Sequence, residues 1–318
     1  MKSIPLIVLA MFVAFAQAPA PTPPPAPIIG RWDLTVHGPG GDRSSWLEVR
    51  HSGLETLIGQ FVGTSGSARP ISRVDFKDGE FHFTIPPQWD RVNGDLVVAG
   101  RIDADRLKGT MKLADRDAVE WTGVRAPSLR RAAEPQWDTP VRLFTGNDLT
   151  GWHAMGTNEW EAAGGMLHNR KSGANLVTDR TFDDFKLHVE FNYPKGSNSG
   201  VYLRGRYEVQ IADIEGDDTG GLGVLGAVYG FLSPNQHAAR KAGEWQTFDV
   251  TLVGRLVSVV LNGKRIICEQ EIPGITGAAL DSKEGEPGPL LLQGDHGPID
   301  YRNIMLTPAK RSDSAAVR

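Results

Sequence analysis

Trp245-Gln246-Thr247-Phe248-Asp249-Val250-Thr251-Leu252-Val253 is followed by Gly254-Arg255, then Leu256-Val257-Ser258-Val259-Val260-Leu261, then Asn262-Gly263, then Lys264-Arg265-Ile266-Ile267-Cys268. Runs rich in β-branched residues are thus separated by two short turn signals. Asn-Gly suits a tight hairpin, because both of its residues tolerate the left-handed backbone that such a turn requires. Two adjacent hairpins imply an antiparallel meander. No helical period runs through these residues. On either side the same texture continues, with strand candidates at 165–168, 185–192, 200–203, 207–211, 288–293 and 299–307. So many strands in one domain predict two packed antiparallel sheets, a β-sandwich of jelly-roll type.

The N-terminal half is also strand-rich but finer grained. Residues 32–36, 45–49, 57–62, 80–85, 96–102, 107–113 and 118–123 are short apolar runs separated by Gly, Asp or Pro turns. They predict a small antiparallel β domain, a lipocalin-like barrel or a β-sandwich; closure of a barrel would remove exposed edges. Around 126–139 the pattern breaks into Pro, Arg, Ala and Glu without period. The expected organisation is all-β: a signal peptide at 1–18, a Pro/Ala-rich linker at 19–27, the small β domain at 28–125, a linker at 126–139, the jelly roll at 140–308 and a flexible tail at 309–318. Cleavage within 126–139 should leave two fragments that each keep β structure.

Lys2 followed by the apolar run 4–16 and small residues at Ala14, Ala16 and Ala18 has the pattern of a secretory signal peptide, so a periplasmic or secreted protein is expected. The apolar run is too short to span a bilayer, and no integral membrane span is expected after its removal. With 34 Lys plus Arg against 38 Asp plus Glu, a net charge of −4, no basic field exists to attract a phosphate backbone, and nucleic acid is not an expected partner. Cys268 is the single cysteine, which excludes an intramolecular disulfide; its strand-like setting suggests a small buried apolar residue. There is no Gly-x-Ser-x-Gly elbow, Cys-x-x-Cys pair, His-Glu-x-x-His helix or phosphate loop.

Strand alternation sorts the chemistry of the second domain, since successive side chains point to opposite faces. Leu187, Val189 and Phe191 form an apolar set that leaves Lys186, His188 and Glu190 on the other face. Tyr207, Val209 and Ile211 likewise leave Glu208 and Gln210 together, and Asp213 would rejoin them only after a bulge. Arg204 shares its parity with Tyr202. Carboxylates, an amide, an arginine and a tyrosine on one sheet surface suit a small saccharide, whose hydroxyls need polar partners and whose ring faces need aromatic cover. A half-exposed sheet is polar on its outer face in any case.

Several blocks resemble the 3-keto-disaccharide hydrolase domain family in the right order. They are Leu143-Phe144-Thr145-Gly146-Asn147-Asp148-Leu149-Thr150-Gly151-Trp152, Asn198-Ser199-Gly200-Val201-Tyr202-Leu203-Arg204, Tyr207-Glu208-Val209-Gln210-Ile211-Ala212-Asp213, Gly226-Ala227-Val228-Tyr229-Gly230, Gly243-Glu244-Trp245-Gln246-Thr247, Asn262-Gly263, and Leu292-Gln293-Gly294-Asp295-His296-Gly297 through Tyr301-Arg302-Asn303-Ile304. Thr145 and Gln246 depart from the Asn expected at those places. The resemblance implies a concanavalin-like jelly roll acting on sugars oxidised at C3. A carbonyl at C3 acidifies the C2 hydrogen and makes the glycosidic oxygen on C1 a β leaving group. A base, an enolate stabiliser and an acid are then required, followed by water. The expected roles are Glu208 or Asp213 as base, Arg204 as stabiliser and His296 as acid, with Gln210, Glu190, Asn198, Tyr202, Tyr229 and Gln293 positioning the sugar. A divalent metal could replace Arg204 as electrophile, although no ligand spacing demands one. The alternative is a non-catalytic carbohydrate-binding module on the same fold.

Overall fold

A computed structural model describes residues 26–87, 93–114, 116–213 and 220–310. The expected signal peptide, most of the expected Pro/Ala linker and all but the first two residues of the expected tail lie outside these. Among the described residues no segment is helical, and so none is a helix long and apolar enough to cross a membrane.

The N-terminal half is a closed antiparallel barrel in sequence order: β1 (Gly30–Gly38), β2 (Gly41–Ser52), β3 (Thr56–Val62), β4 (Arg69–Lys77), β5 (Glu80–Ile85), β6 (Leu96–Asp103), β7 (Arg106–Leu113) and β8 (Val119–Arg125). β8 returns to β1 with Trp32 opposite Arg125 and His37 opposite Glu120, so the barrel has no free edge. Alternation fills the interior with Trp32, Leu34, Leu47, Phe61, Phe83 and Trp121. A barrel of this strand number is just wide enough for side chains to fill.

The C-terminal half is the expected sandwich. One sheet has the order β10 (Trp152–Ala154), β13 (Leu176–Phe182), β20 (Gly288–Leu292), β15 (Asn198–Leu203), β16 (Tyr207–Ala212). The larger sheet runs β11 (Trp160–Ala163), β12 (Met166–Asn169), β21 (Ile299–Pro308), β14 (Phe185–Asn192), β17 (Gln246–Val253), β18 (Leu256–Leu261), β19 (Lys264–Glu271), with β9 (Val141–Arg142) on β21. Val201, Leu203, Val209 and Ile211 of the first sheet meet Leu187, Val189, Phe248 and Val250 of the second in one core. The meander β17–β18–β19 forms as read, with Asn262 and Gly263 at φ 51° and 80°.

Cys268 corrects the sequence reading, for it is exposed. The β18–β19 pairing shifts register twice, and Ile266 and Ile267 are both buried, so the strict period slips and turns Cys268 to solvent.

The two halves share apolar packing. Trp46 and Val62 of the barrel belong to the core cluster of the sandwich, and the Trp46 ring stands edge-on to Phe231 at 5.3 Å. A buried polar network lies alongside: Asp33 of β1 is beside Glu284, which is held by Arg255 and by the Tyr207 hydroxyl at 2.6 Å. Burial, then the Glu284 charge, push the Asp33 carboxyl up to about 8. Within 126–139, Leu129 is buried and Arg131 pairs with Asp184 at 2.6 Å.

Candidate functional site

β16 presents its odd-numbered residues to the core, so Glu208 and Gln210 stand on the outer face of the smaller sheet. That face is covered rather than open. Glu208 is 4% exposed and Gln210 is 4% exposed, with two segments, 220–235 and 273–287, packed against them: residues 226–229 bond along the edge of β16, and residues 276 and 277 bond to Glu208 and Tyr202. Tyr229 N–H donates to Glu208 O at 3.0 Å, and the Gln210 backbone exchanges bonds with Ala227 and Gly226. On the same strand edge, Glu208 N–H donates to Thr276 Oγ1 at 3.1 Å.

β15 pairs with β16 so that Tyr202 opposes Glu208 and Gly200 opposes Gln210. The Tyr202 hydroxyl donates to Glu208 Oε2 at 2.9 Å and also reaches Gly277 O at 3.2 Å. The carboxylate lies over Gly200, where a Cβ would come within 2.5 Å of Glu208 Oε1, so only glycine leaves it room. Asn198 begins the same face, half-buried. Gln293 follows β20, donates its N–H to Gly200 O at 2.9 Å and is buried with Tyr202 and Leu291 on that surface.

The electrostatics single out Glu208. Burial pushes its carboxyl up to about 8, against the Tyr202 hydroxyl bond and the His296 charge, which favour ionisation. His296 is exposed on the loop after β20, with Nδ1 2.7 Å from Asp295 Oδ1. Its hydrogen bond to Asp295 raises it above the usual histidine range, with Glu208 adding to the shift. The loop is fixed by Asn169 Nδ2, which donates to Gly294 O at 2.8 Å, and by Gly294 N–H, which donates to Asn175 Oδ1 at 2.9 Å. The carboxamide oxygens of Gln210 and Gln293 are both buried without a hydrogen-bond partner. Such atoms cost free energy that the hydrogen-bond donors of a bound ligand would offset.

The structure therefore brings together Glu208, Gln210, Gln293, Tyr202, Tyr229, Asn198 and His296. Three expected site residues stand elsewhere. Glu190 is on the outer face of the larger sheet, bonded to Arg302 at 2.7 Å and Asn303 at 3.0 Å, with the whole core between it and Glu208. Arg204 lies beyond the end of β15 in the turn, at φ 53°, where strand alternation no longer applies. Its guanidinium reaches the Tyr207 hydroxyl, Gly254 O and Asp183 instead. Asp213 gains no bulge: β15 and β16 pair without a register shift, and its carboxylate accepts from Gly196 N–H at 2.6 Å.

Sequence reasoning missed Asp295 as the partner of His296, although its adjacency was a signal. It also missed Thr276 and Gly277, which no local pattern marks. Among the described residues no cluster of three or more His, Cys, Asp or Glu side chains suits a metal ion. A groove of about 1260 Å³ lies elsewhere, between the linker and the outer face of the larger sheet, lined by Arg130, Trp137, Lys186, His188 and Asp249 among others. None of its lining side chains is an orphaned buried polar group, so it lacks the signature of the Glu208 site.

A structure assigned as a glycosyl hydrolase from Parabacteroides distasonis ATCC 8503 is 29% identical, covers 52% of this chain and 82% of its own, and superposes with a TM-score of 0.44. A second from the same organism is 18% identical over 54% of this chain and 94% of its own, TM-score 0.46. The carbohydrate binding module CBM66 from Bacillus subtilis is 10% identical over 48% and 93%, TM-score 0.35. Comparison with curated proteins finds no match. The model of the 3-keto-alpha-glucoside-1,2-lyase-like domain matches residues 139–307, more than half of the chain. By that match the chain belongs to the family of 3-keto-alpha-glucoside-1,2-lyase-like domains, and so to the carbohydrate-active proteins.

Proposed function

We propose that the chain is an exported enzyme that cleaves glycosidic bonds of 3-keto-glycosides by elimination followed by hydration. The observation that carries this reading is the buried Glu208 carboxyl set beside two carboxamides whose oxygens lack partners and the His296–Asp295 pair. In its ionised form a carboxylate with a raised pKa is a stronger base than an ordinary one, which suits removal of a carbon-bound proton. Glu208 takes the C2 proton, and the electron pair delocalises into the C3 carbonyl. The C1–O bond then breaks, and His296 protonates the departing oxygen. Water adds across the resulting enone, with OH to C1 and a proton to C2, which restores a reducing 3-keto sugar.

Arg204 is too engaged elsewhere to meet the enolate. Tyr229 and the carboxamides of Gln210 and Gln293 are the donors at hand, since either end of a carboxamide can be turned to a ligand. Asn198 and Tyr202 complete the polar surface. The steps above are assigned to side chains, and a chelator arm tests for a divalent metal.

The test is purified chain with a 3-keto-glucoside and with its unoxidised parent, followed by release of the aglycone with and without chelator. Release from the oxidised sugar alone supports elimination. Equal release from both would sink it, and binding without turnover of either would leave a saccharide-binding module. Amino-terminal sequencing of exported protein tests export: loss of residues 1 to about 16 or 18 is expected, and intact Met1 would overturn it.

A further inference from the structure

Three glycines of the C-terminal half have the barrel where a side chain would be. A Cβ at Gly230 would lie 2.8 Å from Ser67 Cα and Ala68 N, one at Gly274 would lie 2.1 Å from Trp46 Nε1, and one at Gly277 would lie 2.1 Å from Gly66 O. At such separations no side chain fits without displacing its neighbour. These glycines belong to the two segments that cover Glu208. Gly230 follows Tyr229, whose N–H binds Glu208 O, and Gly277 O accepts from the Tyr202 hydroxyl that also binds Glu208.

The barrel holds both segments by further contacts. Ala278 N–H donates to Thr64 O at 3.3 Å, the Ser44 hydroxyl donates to Ala279 O at 2.7 Å, and Ala68 packs on the sandwich core together with Phe231. The connection between β3 and β4, residues 63–68, thus reaches from one covering segment to the other.

We propose that this barrel loop is a wall of the Glu208 site, a positioning element that keeps both covering segments closed over the carboxylate. The family-matched residues 139–307 then hold an incomplete site by themselves. The assignment rests on the proposed function for its kinetic consequence, whereas its geometric consequence is independent of substrate. Exclusion of water by the wall accounts for the burial that raises the Glu208 carboxyl.

The experiment uses the full chain with residues 64–68 replaced by Asn-Gly, beside a second variant, Ser67→Trp, which keeps the loop and presses on Gly230. Circular dichroism and melting confirm that each is folded. The Glu208 side-chain carboxyl carbon, assigned by its disappearance in Glu208→Gln, is titrated by NMR. In both variants its midpoint should fall from about 8 toward the ordinary carboxylate range, and kcat on a 3-keto-glucoside should drop roughly 10- to 100-fold. If the loop replacement does not fold, Ser67→Trp decides alone. An unchanged midpoint in the folded variants, with kcat within about twofold of the parent, overturns the wall. Should no form of the chain act on the 3-keto-glucoside, the proposed function fails while the titration still decides this inference.

Discussion

Glu208 is a carboxyl that the fold keeps neutral until about pH 8. Acting as base it must first ionise, so on a nitrophenyl 3-keto-glucoside, whose leaving oxygen needs no acid, kcat/KM should rise with pH through a midpoint near 8, whereas on an alkyl one loss of the His296 proton should bring it down again into a bell; a fall near 8 on the nitrophenyl substrate would make Glu208 an acid. Glu208→Gln keeps the shape and the bond from Tyr202 but cannot take a proton; turnover should fall about 10²- to 10⁴-fold. Its stability should move the other way. A raised folded pKa means that the native state binds the proton which the unfolded chain releases above its own pKa, so stability is fully present below that value and declines as pH rises toward 8. Relative to the parent, Glu208→Gln should therefore gain stability between pH 5 and 8, up to on the order of 4 kcal/mol, read by melting across that range. His296→Asn should lose most turnover on an alkyl 3-keto-glucoside but little on a nitrophenyl one, whose leaving oxygen needs no proton. Equal losses on both would remove His296 as acid.

The β15–β16 hairpin separates two jobs within a few residues. Its strands place Tyr202, Glu208 and Gln210 on the outer face, while its turn throws Arg204 into the buried polar network beside the barrel. Arg204 is fully buried and touches none of the reacting groups. Arg204→Ala should destabilise by about 2–5 kcal/mol, through the cavity left at a fully buried site and the loss of the bond to Gly254 O. The folded fraction should turn over at a near-normal rate. Denaturant titration with kinetics normalised to active sites checks this. A large loss of kcat at unchanged stability would return Arg204 to the site.

Trp46 of the barrel packs into the sandwich, fully buried against Phe231 and Gly274. Trp46→Ala should cost about 3–5 kcal/mol, as large-to-small changes in cores do. At 2–4 °C per kcal/mol for a domain of this size, the melting temperature should drop by roughly 10 °C. Leu54→Ala, at a site 92% exposed in the turn after β2, should leave it unchanged. If both substitutions leave the melt untouched, the halves are joined by the chain alone. Separation of the halves at 126–139 would also expose Trp46, Val62 and the buried Leu129, so each fragment's retention of β structure is a direct measure of that shared packing.

Strand parity is set by backbone geometry and so was legible in the chain. Turn chemistry at Asn262-Gly263, the alternation of Tyr207, Val209 and Ile211 against Glu208 and Gln210, and the short-strand texture of residues 28–124 determined an all-β protein, a small strand-rich domain, barrel or sandwich, before a larger sandwich, and the shared face of Glu208 and Gln210. Parity says which side a residue faces, not what lies over that side or which sheet it belongs to. Only the tertiary structure could put Glu190 across the core from Glu208, turn Arg204 away past a strand end and expose Cys268 after a bulge. The burial of Glu208 was equally out of local reach, because its partners Tyr202, Thr276 and Tyr229 come from separate segments, two of which rest on a barrel loop over a hundred residues distant. The Glu208 proton affinity depends on that long-range exclusion of water, which no local pattern encodes.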